Sequence, residues 1–111
     1  MLKINDDLKE YLIEEKDRTN EKDSQEMARR FERDPFNWQW IFKFENNCGA
    51  SIIKRFCSFG FDEDLFELAT IVWKDDIHMI SRIYALDEDT DIFGYLTNDE
   101  VMDLLYKIKN I

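Results

Sequence analysis

The sequence predicts an α+β domain in which N-terminal helices precede a four-stranded antiparallel meander sheet, with a C-terminal helix packed on one face. Three observations lead there: apolar residues recur at helical spacing before Pro35, the spacing changes to two at Trp38, and helical spacing returns after Thr97. The 111 residues, 44% hydrophobic and 14% aromatic, suffice for one small core. Residues 1–36 are therefore expected as a helical segment and 37–111 as a sheet plus helix, together one compact domain.

Ile4, Leu8, Tyr11 and Leu12 form one stripe, and Asn5 or Asp6 can cap its first turn, which places a helix near 5–17. Thr19 to Asp23 carries no apolar residue and reads as a break. Asp23 and Glu26 have the spacing of a capping box, with Met27 and Phe31 a turn apart behind them, so a second helix is expected near 24–33. Pro35 lacks an amide proton and disfavours the α region for Asp34, which stops the helix.

Trp38, Trp40, Phe42 and Phe44 alternate with Gln39, Ile41, Lys43 and Glu45, the pattern of a strand with one buried face. Trp40, Phe42 and Phe44 are assigned to the core, facing Leu104, Leu105 and Ile108. Asn46, Asn47, Cys48 and Gly49 tolerate positive φ and allow a reversal into a second strand, Ala50 to Cys57. A loop through Gly60 leads to a third strand, Leu65 to Trp73; the turn Lys74-Asp75-Asp76 leads to a fourth, Ile77 to Ala85. Asp87 to Asp91 is a charged loop, and Thr97 with Glu100 makes a capping box ahead of a helix near 98–109.

Charge narrows the functional classes. The chain carries 25 acidic against 15 basic residues, a net charge of −10, and a negative field opposes binding to nucleic acid or to an anionic membrane. The one basic cluster, Arg29, Arg30 and Arg33, is interleaved with Glu26, Glu32 and Asp34. No uncharged run, Phe56 to Phe61 included, is long enough to span a bilayer, the longest being the eight residues of Pro35 to Phe42 and of Asn46 to Ile53, and the acidic start does not read as a signal peptide, so a cytoplasmic location is expected. The excess charge is focused: residues 62–103 hold 13 acidic side chains against Lys74 and Arg82 alone. Asp62, Glu63, Asp64, Asp75, Asp76, Asp87, Glu88, Asp89 and Asp91 fall in turns and loops and are the candidate partner-binding residues, with 62–64 and 87–91 expected on one rim of the sheet.

Candidate catalytic chemistry is sparse. His78 has no second histidine with which to share a metal or a proton. Cys48 and Cys57 flank one strand, about 30 Å apart if extended, beyond disulfide reach. Neither has an identifiable base to make it a nucleophile. Asp87, Asp89 and Asp91 match the first three ligands of an EF-hand loop, but Ile92 stands where the turn needs glycine and Asn98 where the bidentate glutamate belongs. With three glycines and no phosphate-binding or nucleophile-elbow motif, no enzyme and no cofactor are expected.

The stretch from Phe42 onward resembles a small family of uncharacterised bacteriophage proteins. The likeness is carried by Phe44-Glu45-Asn46-Asn47-Cys48-Gly49-Ala50-Ser51-Ile52-Ile53, by Phe59-Gly60, by Leu65-Phe66-Glu67-Leu68-Ala69, and by Gly94-Tyr95-Leu96-Thr97 with Glu100-Val101. It covers about two thirds of the chain; residues 1–36 have no counterpart, and Cys48 stands where members more often carry an aromatic. The resemblance implies phage origin, expression in host cytoplasm and no assigned activity. In size and charge the chain resembles anti-CRISPR proteins. The expected function is thus an acidic protein that inhibits a host protein with a basic groove, a nucleic-acid-handling defence nuclease such as a CRISPR effector. The alternative is a phage assembly or regulatory module acting through its N-terminal helices and self-association.

Overall fold

Trp40, Phe42 and Phe44 point to one face of a sheet and are buried there, as their alternation requires. The computed structural model describes residues 1–33 and 35–111. Its sheet contains β1 (Leu12–Asp17), β2 (Asn37–Lys43), β3 (Cys48–Arg55), β4 (Phe66–Lys74), β5 (Ile77–Ile80) and β6 (Ile92–Leu96), all pairs antiparallel. The first five strands lie side by side in sequence order; β6 returns to pair with the start of β4, on the edge whose other half β5 occupies. The helices are α1 (Lys22–Phe31) and α2 (Asn98–Lys109).

One face carries the main core. Trp40 and Phe42 of β2, Ala50 and Ile52 of β3, and Phe66 and Leu68 of β4 lie in one cluster with Val101, Met102, Leu105 and Ile108 of α2, Leu104 being partly buried against it. Leu2, Leu8, Phe44, Ile83 and Leu96 complete the cluster. Burying each of its larger side chains contributes about 1.5–3 kcal/mol. The Thr97–Glu100 capping box forms with both reciprocal bonds, and α2 begins where the sequence places it. Asn98 exchanges two hydrogen bonds with the Lys3 backbone, at 2.8 and 2.9 Å, and Asn46 Nδ2 donates to the Ile108 carbonyl at 2.8 Å. Both ends of α2 are thereby tied to distant segments.

The sheet has six strands rather than four, and the N-terminal prediction changes most. Only Asp6–Tyr11 winds, as a 3-10 helix; Leu12 turns extended and 12–17 pairs with β2. A lone amphipathic helix of a dozen residues is marginal in water, whereas the free edge of β2 offers a row of backbone partners. No side chain caps the 3-10 turn. Helix α1 starts two residues earlier than predicted, with Glu21 at the N-cap, so Asp23 sits inside its first turn and the expected Asp23–Glu26 box is not made. It ends at Glu32 in the left-handed region, before Pro35. The conformation predicted for Asp34 lies outside the described residues.

Strand β5 stops at Ile80 instead of Ala85 because the chain turns away: Ile83 enters the core, and β6 takes the vacated length of the β4 edge. Gly49 is indispensable at the β2–β3 crossing, where a Cβ would stand 2.0 Å from the Phe42 carbonyl oxygen and 3.1 Å from Trp73 Nε1. Trp73 lies on the opposite face of the sheet from α2, clustered with Ile41 and Ile71. The Lys43 ammonium sits 5.1 Å from the Trp73 ring centre, and His78 packs on the same indole at 4.4 Å.

Candidate functional site

The nine predicted acidic residues separate into three groups along β4. Asp62, Glu63 and Asp64 belong to a 3-10 turn just before its first residue, Phe66, and Asp75 and Asp76 form the turn after its last, Lys74. A nine-residue strand is about 30 Å long, so these two groups stand at opposite ends. The 87–91 loop is level with mid-strand, since the Thr70 amide donates to the Asp91 carbonyl at 2.9 Å. The shared rim of 62–64 and 87–91 is therefore replaced by a row of acids spread along the whole edge.

These acids are not equivalent. Arg33 Nη1 bonds Asp62 Oδ1 at 2.6 Å, and the Lys54 ammonium bonds Asp64. Lys54 is buried, its Nζ 4.9 Å from the Phe66 ring centre, and its hydrogen bond holds the Asp64 carboxyl below the usual carboxylate value. Asp64 is thus the counter-ion of a buried lysine before it is anything else. Asp87 accepts from the Asp89 amide at 2.8 Å, shaping its own loop. Among the described residues Glu63, Asp75, Asp76, Glu88, Asp89 and Asp91 form no ion pair.

Between the latter groups lies a feature absent from the sequence reading. Every residue of β5 is exposed: Ile77 is 74%, Met79 66% and Ile80 56% accessible, and Tyr84 beyond them 70%. Apolar residues on both faces of a strand normally mean burial on both faces, so periodicity alone assigns these side chains to a core. Ile77 and Met79 are left in solvent because α2 packs mainly on β3, β4 and β6 while β5 is added at the rim; Ile80, opposite Ile71, lies on the other face of the sheet. Arg82 braces the neighbouring loop, its guanidinium 5.4 Å from the Tyr84 ring centre and its Nη1 donating to the Glu88 carbonyl at 3.4 Å.

Cys48 and Cys57, before and after the body of β3, are free thiols, and burial pushes the Cys48 thiol up. His78 stacks on Trp73. Among the described residues no three His, Cys, Asp or Glu side chains converge as metal ligands, and no helix is long and apolar enough to cross a membrane. Comparison of the chain with protein-family models, with curated proteins and with solved structures returns no match.

Proposed function

We propose that this chain is a binding protein rather than an enzyme, and that it engages a basic surface of a host protein through the β5 edge. One observation carries the reading: three exposed apolar residues, Ile77, Met79 and Ile80, lie between the carboxylates of Asp75 and Asp76 and those of Asp87, Glu88 and Asp89. An exposed apolar edge strand, with Ile77 and Met79 on one face and Ile80 on the other, flanked by net negative charge has the composition of a protein-binding site, the strand supplying buried area and the flanking charge steering the encounter. On the phage resemblance, the partner is a nucleic-acid-handling defence nuclease, such as a CRISPR effector, whose Lys/Arg groove this edge occludes.

The other expected mode, docking through N-terminal helices, has fewer free surfaces to use. Leu2 and Leu8 are buried in the main core and residues 12–17 are part of the sheet. The exposed Phe31 of α1 stacks on Phe56 at 5.1 Å.

Capture from bacterial lysate separates the readings. The wild-type chain is compared with Asp75→Lys/Asp76→Lys, with Ile77→Ser/Met79→Ser and with a chain lacking residues 1–33, each at low and at high salt. Loss of the same basic protein with both β5-edge variants, and its weakening in salt, supports the proposal. Retention by both, with loss on truncation of a chain that still folds, transfers the function to the N-terminal segment.

A further inference from the structure

The pairing geometry of β4 settles which backbone groups of β5 are free. The Trp73 amide donates across to the Asn47 carbonyl, so Trp73 and, two residues away, Ile71 direct their backbone groups toward β3. Thr70, Val72 and Lys74 must then face the other edge. The bonds at Thr70 agree: its amide donates to Asp91, and its carbonyl accepts from the Ser81 amide at 3.0 Å. Since Val72 lies opposite Met79 and Lys74 opposite Ile77, Met79 and Ile77 spend their backbone groups on β4. His78 and Ile80 point theirs outward, and among the described residues nothing pairs with them. Two N–H and two C=O groups are thus presented at the spacing of a strand, in a segment whose four side chains are all exposed.

We infer that β5 receives an extended peptide segment of the partner as an added strand, the segment being apolar in its centre and carrying Lys or Arg at both ends. This rests on the binding role proposed above and specifies its mode. The apolar centre follows from what the added strand would lie beside: Ile77 and Met79 on one face, Ile80 and His78 on the other. The cationic ends follow from the carboxylates at each end of β5, Asp75 and Asp76 before it and Asp87, Glu88 and Asp89 after it. The same charges disfavour a second copy of this chain. Antiparallel β5–β5 pairing sets the Asp75–Asp76 turn of one copy against the 81–89 loop of the other, which brings five carboxylates together from each pair of segments against Lys43, Lys74 and Arg82, a net negative contact.

The test uses the intact chain and a soluble peptide with a Val-Thr-Val-Thr-Val centre and two lysines at each end, against the same peptide ending in glutamates. The lysine-ended peptide is expected to bind, and the glutamate-ended one to bind at least about tenfold more weakly. Methylating the five central amides, which blocks edge pairing and leaves the charges, is expected to weaken binding by about tenfold, the equivalent of one or two hydrogen bonds. His78→Pro removes an outward N–H without touching the β4 ladder and should match that loss, with an unchanged far-UV spectrum and a cooperative urea transition reporting the fold. Equal binding of the methylated peptide overturns strand addition and leaves the acidic-edge reading standing. Absence of peptide binding while wild-type chain still captures a basic protein does the same. Concentration-dependent dimerisation that protects the His78 and Ile80 amides in the free chain overturns the assigned occupant.

Discussion

The Thr70 hydroxyl, fully buried, donates to the Ser81 carbonyl at 2.6 Å. The same residue takes the Ser81 amide on its carbonyl and gives its own amide to Asp91, so the 81–91 excursion leaves and rejoins the sheet at one point. That clamp ends β5, starts β6 and holds the acidic loop beside the exposed strand.

Thr70→Val keeps the shape and removes the hydroxyl, leaving a carbonyl without its buried donor. A loss of about 1–3 kcal/mol is expected in urea unfolding. Thr70→Ser, which restores the donor, should recover most of it.

Asp64 and Asp76 are both exposed loop carboxylates and should respond differently to charge reversal. Asp64→Lys sets a second ammonium against buried Lys54, and a loss of about 1–3 kcal/mol is expected. Asp76 has no side-chain partner among the described residues, and Asp76→Lys should stay within about 0.5 kcal/mol. From sequence, all loop acids look alike and their reversal looks harmless; urea midpoints of the two variants distinguish them.

Gly49→Ala tests the β2–β3 crossing. A methyl group 2.0 Å from the Phe42 carbonyl cannot be seated without moving backbone, so a loss above about 2 kcal/mol is expected in thermal or urea unfolding.

The capping box sets one component of acid stability. The Thr97 backbone N–H donates to the Glu100 carboxylate at 3.0 Å, which holds the Glu100 carboxyl below its ordinary value. A carboxyl depressed in the folded state stabilises fully above its unfolded value, near 4.5, and that contribution disappears as pH falls through the lower folded value. Glu100→Gln should therefore flatten the decline of the urea midpoint between pH 6 and pH 3. Thr97→Ala should cost about 1 kcal/mol at neutral pH.

Much of the central architecture was legible because each signal was local. The alternation through Trp38–Phe44, the Asn46–Gly49 reversal and the Thr97–Glu100 box each commit a short segment whatever the rest of the chain does. Strand β1 was hidden because its Glu14, Glu15, Lys16 and Asp17 suit an edge strand but show no apolar alternation. The Leu8–Leu12 stripe meanwhile fits a helix. Strand β6 was hidden by its brevity, by Gly94 and by the positive φ of Tyr95. At the candidate site, the turn positions of the acids were readable. Their allegiances were not, since Asp62 and Asp64 pair with residues 29 and 10 positions away. The exposure of Ile77 and Met79 depends on how far α2 reaches across the sheet, which no local pattern encodes.

The central claim is that β5 presents a free pairing edge, and residue-resolved amide hydrogen exchange reads it directly. In the free chain the His78 and Ile80 amides should exchange at least about tenfold faster than that of Met79, which faces β4. With the lysine-ended peptide at saturation, His78 and Ile80 should slow while Met79 stays as it was. His78 and Ile80 protected as well as Met79 in the free chain, or left unprotected in the complex, would contradict the account.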